Sequence, residues 1–276
     1  MKKKEVATII LNRNLKSVTD KLYKKILKYN KNHTDVYIVD SGSDKKKKSV
    51  FTTWSADWKS ARKNGLRFSR GMNFGLSNLY KEDKFKDYNY FLLLTNDSEV
   101  ESKNFLKNLI SIMKRFKSIA ILSPCSKKWG EKFLLKKNKL KFFWYIHNNA
   151  LLIRKEFIET ICNKKNPNYK NFLFDGSNFR GFGADSELIM KSYKNNYAAA
   201  ITSEVWIEEN ESYLLNKNNL IKTDRYDENL RLYIEEGLKW IKKKYKFDSK
   251  WDLNLHVKKY YDNFFKKNKK LNNYKI

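Results

Sequence analysis

Residues 91–100 read FLLLTNDSEV, and this stretch decides how the rest of the sequence is interpreted. Four apolar residues predict a buried strand, and residues 95–99 follow as an unbroken run of oxygen-bearing side chains. Taken alone, such a run most often forms a solvated turn. The alternative is a metal or phosphate site, because open α/β sheets bind ligands beyond the carboxyl ends of their strands. The surrounding sequence must distinguish between the two.

Strand-like and helix-like segments alternate along the first 200 residues. Residues 6–11 and 36–39 are short apolar runs typical of strands buried on both faces, and apolar residues between Leu15 and Tyr29 recur at helical spacing. Further segments are predicted as a loop leading into a helix (70–80), strands (90–95, 119–123 and 197–202) and helices (105–116 and 185–195). Strand–helix–strand order predicts an α/β fold with a Rossmann-like, mostly parallel central sheet flanked by helices.

The composition limits the class of protein. The 276 residues are 41% hydrophobic, which is enough for a large core, and no run approaches the roughly 18 apolar residues of a membrane span. Residues 6–11 are too short for the apolar part of a signal peptide, and the two cysteines lack CxxC spacing, so we expect a cytoplasmic protein. The net charge of +29 suggests an anionic partner, but lysines spread along the whole chain do not indicate specific nucleic-acid recognition.

Carboxylates follow two of the predicted strands and precede one predicted helix. Asp40 and Asp97 stand at strand ends, and Asp185 lies on a loop before a helix. Because the carboxyl ends of parallel strands share one edge, the three groups could converge on one cleft. Oxygen ligands from Asp97, with Asn96 and Glu99 nearby, suit Mg²⁺ or Mn²⁺. No GxGxxG follows the first strand and no P-loop motif is present, so dinucleotide-binding and P-loop folds are disfavoured.

Six motifs in this order resemble the inverting, family-two glycosyltransferases of the GT-A fold, over roughly residues 6–212. The matching segments are VATIILNRN (6–14), YIVDSGSD (37–44), NGLRFSRGMNFGL (64–76), FLLLTNDSEV (91–100), HNNALLIRKEF (147–157) and GFGADSELIMKSYKNNY (181–197). Each motif alone is weak, since short turn sequences recur by chance, but six in register are specific.

The resemblance implies a role for each matched position. It makes Asp185 the catalytic base, Asp97 the metal-binding acid of the family's DxD motif with Glu99 as a possible second ligand, and Asn149 and Glu187 residues of the acceptor side. The residues implied to bind the donor nucleotide are Asn12, Asn14, Asp40, Arg70, Asn73 and Asn96.

The chain departs from the family pattern at three places. Thr95 stands at the first DxD position, and Ala184 replaces the acid that commonly precedes the base. The family often has a histidine after the last strand, where this chain offers Glu208, Glu209 and Glu211. A carboxylate can also ligate a divalent cation.

The character of the sequence changes after about residue 223. Two helical patterns rich in lysine and aromatic residues predict that 223–276 is a helical C-terminal extension packed on a GT-A domain of residues 1–222. Its lysines and aromatic residues, among them Trp240, Trp251 and Phe264, could contact an anionic membrane surface. Alternatively, the aromatic residues pack on the main domain and the lysines are solvated.

The expected function is transfer of a sugar from a nucleotide-sugar donor to a hydroxyl of a glycan or lipid-linked acceptor, with inversion. Surface polysaccharide or glycoconjugate synthesis is the expected setting, with Mg²⁺ or Mn²⁺ as cofactor. Two alternatives stay open: a non-enzymatic protein that binds nucleic acid or another polyanion, and a nucleotidyltransferase of similar fold.

Overall fold

The computed structural model describes residues 3–100, 103–147, 149–210 and 226–276. Within these ranges nine strands form one sheet. They are β1 (Val6–Asn12), β2 (Thr34–Asp40), β3 (Thr52–Ser55), β4 (Tyr90–Thr95), β5 (Ser98–Val100), β6 (Ile119–Cys125), β7 (Leu140–Phe142), β8 (Ala150–Arg154) and β9 (Ala198–Glu209).

The strand order is β3-β2-β1-β4-β8-β6-β9-β5, with β7 also paired to β9. Strands β1 to β4 run parallel to one another, as do β6 and β9, whereas β8 lies antiparallel between β4 and β6. The short strands β5 and β7 pair antiparallel with β9. Six of the nine described strands therefore share one direction, so the sheet is mostly parallel as predicted.

Eight α-helices flank the described sheet. They are α1 (Lys16–Asn30), α2 (Lys59–Asn64), α3 (Arg67–Lys81), α4 (Phe105–Arg115), α5 (Lys155–Ile161), α6 (Ala184–Lys194), α7 (Tyr226–Tyr245) and α8 (Lys250–Lys267). Helices α1 and α4 contact each other, whereas α6 contacts α8. Their apolar faces cover strands that are buried along almost their whole length, such as β4 and β8.

The prediction of a loop at the start of residues 70–80 is wrong, because α3 already begins at Arg67. Gly71 and Gly75, which belong to this segment, both lie inside the helix. A Cβ on Gly71 would stand 2.4 Å from Leu11 Cδ1, and one on Gly75 would stand 2.9 Å from Ile9 Cγ2. The two glycines therefore let α3 approach β1 closely, which is a packing role for residues that lack a side chain.

Replacing Gly71 with valine is expected to lower the free energy of unfolding by about 1–3 kcal/mol, because the added atoms overlap Leu11 in a filled core. Denaturant titration of both proteins measures the change. Gly130→Val is the matched control, since a Cβ at Gly130 meets no described atom within 4 Å. Equal stability of the Gly71→Val and Gly130→Val variants would contradict the close packing of α3.

The C-terminal helices pack on the rest of the fold. Tyr261 and Phe264 of α8 are buried in the main core, and Trp240 of α7 is buried in a smaller cluster that includes Leu253. Trp251, by contrast, is 60% exposed. The predicted boundary at residues 222 and 223 lies outside the described residues. No helix within the described ranges is long and apolar enough to cross a membrane.

Candidate functional site

Asn12 and Asp40 lie side by side at the carboxyl ends of β1 and β2. The Asn12 amide donates from Nδ2 to Asp40 Oδ2 over 2.9 Å, and the other carboxylate oxygen of Asp40 accepts from the backbone N–H of Ser43, also over 2.9 Å. Both side chains are fully buried. In this structure the Asp40 carboxylate, predicted to contact the nucleotide, therefore shapes the loop that follows β2.

Asn14 and Asn96 join the same group of strand ends. Asn14 adopts a left-handed backbone conformation (φ 56°), and its Oδ1 accepts from the Asp44 N–H over 2.8 Å. Asn96 follows β4 and donates to Thr19 Oγ1 over 3.1 Å, and its Nδ2 lies 3.5 Å from Asn12 Oδ1. The ends of β1, β2 and β4 are thereby linked through short polar side chains, in line with the predicted convergence at one sheet edge.

Arg70 and Asn73 instead face the segment that leads toward α6. Asn73 Oδ1 accepts from the N–H groups of Leu173 and Phe174, each over 2.9 Å. Arg70 donates from Nε to the carbonyl of Gly176 over 2.7 Å. Arg70 also lines a cavity of about 730 Å³ together with other cationic side chains. In the described contacts these two residues position the 173–176 segment, and they do not contact the Asn12–Asp40 pair.

Asp97 and Glu99 lie on the turn and short strand after β4. The carbonyl of Asp97 accepts from the Asn210 N–H over 3.0 Å, and Glu99 Oε1 accepts from Asn210 Nδ2 over 2.8 Å. A cavity of about 170 Å³ between this turn and α1 is lined by both carboxylate residues and by Lys21 and Lys25. The two lysines, which sequence reasoning missed, bring positive charge to a negatively charged turn.

Glu208 was considered as a replacement for the family's histidine. It is paired with Glu99 across β5 and β9. Its own carboxylate, however, accepts from Ser126 Oγ over 2.6 Å and from the Lys127 N–H over 2.8 Å. Glu208 therefore holds the loop after β6 in this structure, whereas Glu211 lies outside the described residues.

The carboxylates after β4 suit a divalent cation that needs only one or two protein ligands. No group of three or more His, Cys, Asp or Glu side chains that could hold a metal occurs within the described ranges. Asp97, with Glu99 nearby, instead fits a cation such as Mg²⁺ that takes one or two protein carboxylates and completes its shell with substrate phosphates and water.

Asn149 lies beside the turn that follows β4. Its carbonyl accepts from the Thr95 N–H over 3.3 Å, and its side chain is 4% exposed. Neither Nδ2 nor Oδ1 of Asn149 has a hydrogen-bond partner among the described residues. Asn149 immediately precedes β8, whose Leu151 lines one small gap together with Asp185. Buried side-chain amides are normally hydrogen-bonded, so the unpaired amide of Asn149 is a candidate contact for a bound ligand.

Asp185 is the second residue of α6, which begins at Ala184 directly after Gly183, a residue with a positive φ of 81°. Its carboxylate is 3.3 Å from the ammonium of Lys250 on α8. Burial, followed by the negative charge of Asp185, raises the pKa of both Tyr145 and Tyr233. Asp185 is thus surrounded by groups from three parts of the chain.

Glu187 lies about 200° around α6 from Asp185, on the opposite face of the helix. It is buried, accepts from the Tyr245 hydroxyl over 2.8 Å, and is 2.7 Å from Lys244 Nζ. In this structure the residue predicted for the acceptor side therefore binds α7. The sequence offered no signal for these pairings, because nearly 60 residues separate Glu187 from its partners.

Asp175 forms a second attachment of α7. Its Oδ2 accepts hydrogen bonds from Lys244 and from Trp240 Nε1. Burial alone would raise the pKa of Asp175, but the hydrogen bonds from Lys244, Ser177 and Trp240 hold that pKa well below its usual range. The folded protein therefore stabilises the ionised form of Asp175 over the protonated form.

The contribution of Asp175 to the stability of the fold is expected to decrease at low pH. A carboxyl group whose pKa is lower in the folded state than in the unfolded state stabilises the fold at pH values above its unfolded-state pKa, which is about 3.9 for aspartate. This stabilisation is lost as the pH falls toward the lower pKa of the folded state. Wild type should therefore melt above Asp175→Asn at pH 5–7, with the difference shrinking below about pH 4. Thermal unfolding by circular dichroism measures this difference, and a constant difference down to pH 3 would contradict the attachment.

The comparisons with known proteins concern sequence and structure separately. The sequence matches no protein-family model. No curated protein matches it either. The match to solved structures is therefore the comparison that bears on the fold.

Several solved structures share the fold. The structure of GalNAc-T7 with UDP, GalNAc and Mn²⁺ aligns with a TM-score of 0.56 at 11% identity, covering 93% of this chain and 55% of that one. S. aureus TarS 1-349 in complex with UDP-GlcNAc aligns with a TM-score of 0.51 at 14% identity, covering 84% and 66% of the two chains. The chain thus spans little more than half to two thirds of these proteins. At such identities the likeness shows that the chain has the GT-A glycosyltransferase fold.

Proposed function

We propose that this chain is a glycosyltransferase that moves a sugar from a nucleotide-sugar donor to a hydroxyl of a glycan or lipid-linked acceptor, with inversion at the anomeric carbon. One observation carries the proposal. The buried amide of Asn149, without a partner among the described residues, lies next to the end of β4 that leads to Asp97. A donor whose diphosphate lies at Asp97 and whose sugar reaches Asp185 would supply the missing hydrogen bonds.

Asp97, with Glu99 as a possible second ligand, would hold a Mg²⁺ or Mn²⁺ ion. When bound, the ion neutralises negative charge that develops on the departing nucleoside diphosphate. The structural likeness to GalNAc-T7, which was solved with UDP, GalNAc and Mn²⁺, supports this assignment. Lys21 and Lys25 line the same cavity and would add positive charge for phosphate groups.

The residues at the ends of β1 and β2 would position the donor nucleotide. Asn12 and Asp40 have their polar atoms engaged with each other and with the loop after β2. We therefore assign Asp40 a positioning role, in which its carboxylate fixes the loop backbone that faces the nucleotide. Asn14 and Asn96 complete the same polar rim, whereas Arg70 and Asn73 would act from the opposite side by fixing the segment before α6.

Asp185 would act as the general base. Its carboxylate accepts the proton of the acceptor hydroxyl while that oxygen attacks the anomeric carbon. The new C–O bond forms as the bond from the anomeric carbon to the diphosphate oxygen breaks, and the electron pair leaves with the nucleoside diphosphate. One displacement from the opposite face inverts the anomeric centre.

The proposed location of the reaction is the cytoplasmic face of a membrane. A membrane surface suits a lipid-linked acceptor, and the lysines of α7 and α8 would favour an anionic one. Trp240 and Phe264 are buried in the fold, so Trp251 is the aromatic residue among these three that such a surface could contact. Cytoplasmic, peripheral attachment is thus the form of localisation that we propose.

The test is turnover by the purified full chain. A panel of UDP- and GDP-sugars is incubated with Mg²⁺ or Mn²⁺ and a set of glycan and lipid-linked acceptors, and release of nucleoside diphosphate is measured. Donor-specific release supports the proposal. Release of pyrophosphate instead would identify a nucleotidyltransferase. Absence of any turnover, together with salt-dependent nucleic-acid binding that survives Asp97→Ala and Asp185→Ala, would favour the polyanion-binding alternative.

A further inference from the structure

We propose that Lys250, supplied by the C-terminal helix α8, positions the carboxylate of Asp185 and balances its charge. The inference rests on the proposed function, because it assigns Lys250 to the site where Asp185 would accept a proton. It makes the C-terminal extension part of the candidate active site, in addition to its packing role.

The first support is the geometry of the pair. Lys250 Nζ stands 3.3 Å from Asp185 Oδ2. The side chains are only 22% and 9% exposed, respectively. A carboxylate withdrawn from water to this extent is costly unless a cation or several hydrogen-bond donors compensate it. The other groups coupled to Asp185, Tyr145 and Tyr233, are neutral phenols near pH 7, so Lys250 is the cation that provides this compensation in the described contacts.

The second support is how firmly Lys250 is held. It is the first residue of α8, directly after Ser249, whose Oγ accepts from the Asp252 N–H over 3.0 Å and caps the helix. The Lys250 ammonium also lies 5.1 Å from the ring centre of Phe182 and 5.7 Å from that of Tyr145. A lysine at a helix N-terminus opposes the helix dipole, so its placement here is compensated by the contact with Asp185.

The third support is the close fit of the C-terminal helices to the loop before α6. A Cβ on Gly237 of α7 would stand 2.3 Å from Phe182 Cβ, so the backbone of α7 lies directly against that side chain. A Cβ on Gly183 would contact Leu253 of α8 at 3.4 Å. Together with the contact from Lys244 to Glu187, these contacts fix the turn that carries Asp185 relative to both C-terminal helices.

The experiment compares Lys250→Met with Lys250→Arg, which keeps the charge, and with Lys259→Met, which removes an exposed lysine of the same helix. We expect Lys250→Met to lower kcat about tenfold with little change in the donor KM. Lys250→Arg should retain most of the activity, and Lys259→Met should match wild type.

A double-mutant cycle separates this inference from the proposed function. Thermal unfolding measures the change in the free energy of unfolding for Asp185→Asn, Lys250→Met and the double variant. The change in the double variant should differ from the sum of the two single changes, whether or not a donor is found. Additive effects, or a Lys250→Met enzyme with the wild-type kcat while Asp185→Asn is inactive, would overturn the role of Lys250 and leave the proposed function intact. A wild type that turns over no donor would instead refute the proposed function, while the cycle still decides whether the pair exists.

Discussion

Replacing Asp185 with asparagine is expected to lower kcat for sugar transfer by about 10²–10⁴-fold, the range typical for loss of a general base. The amide has nearly the same shape as the carboxylate but cannot accept the acceptor's proton. The donor KM should change little, because the residues proposed for the nucleotide and the cation lie outside α6. Initial rates of nucleoside diphosphate release at saturating donor and acceptor measure the effect.

The control for this variant is Asp262→Asn. Asp262, like Asp185, is paired with a lysine on α8, at 2.7 Å from Lys258 Nζ, but it belongs to no part of the proposed site. Its replacement should leave turnover at the wild-type rate. If Asp185→Asn retains full turnover with an unchanged circular dichroism spectrum, Asp185 is not the base, and the inverting mechanism proposed for this chain fails.

Replacing Asp97 with asparagine is the second change expected to have a large effect. It removes the carboxylate proposed as the main protein ligand of the cation, so turnover should fall by about 10²–10³-fold, comparable with the loss of one preorganised electrostatic contact in a transition state. Binding of the nucleoside diphosphate should also lose its dependence on Mg²⁺ or Mn²⁺. Calorimetric titration of the diphosphate with and without each metal measures this dependence, independently of any acceptor.

Asp83→Asn serves as the matched change for Asp97, since Asp83 lies in an exposed turn after α3. It should leave both turnover and metal-dependent binding unaltered. Glu99→Gln should have a smaller effect than Asp97→Asn, because Glu99 is exposed and already accepts a hydrogen bond from Asn210. Metal-dependent binding that survives in Asp97→Asn would show that the cation, if used, is held elsewhere.

The sequence predicted the sheet better than it predicted the roles of the polar side chains. Continuous apolar runs such as residues 6–11 and 90–95 identify buried strands, because burial on both faces leaves little choice of residue. The start of α3 was mistaken for a loop, because Gly71 resembles a turn residue until its close contact with Leu11 is known. Local patterns encode burial well, and they do not encode which distant element lies opposite.

The same limit applies to the candidate site. The motifs place Asp40, Asn73 and Glu187 in suitable segments, yet in the structure each of these side chains has its polar atoms engaged with another part of the chain. The contact between Lys250 and Asp185 spans 65 residues of sequence and follows no spacing rule. In a chain with 59 basic residues, nothing in the sequence singles out this lysine.

The attachment of α7 and α8 around the turn of Asp185 has a consequence for biosynthesis. The strands of the sheet and α6 precede Lys250 in the chain and are synthesised before it. The helical turn that carries Asp185 can therefore fold before Lys250 has been translated. Nascent or prematurely terminated chains can therefore build the donor half of the site without the groups that face Asp185. If the proposed function holds, turnover would begin only when α7 and α8 have docked.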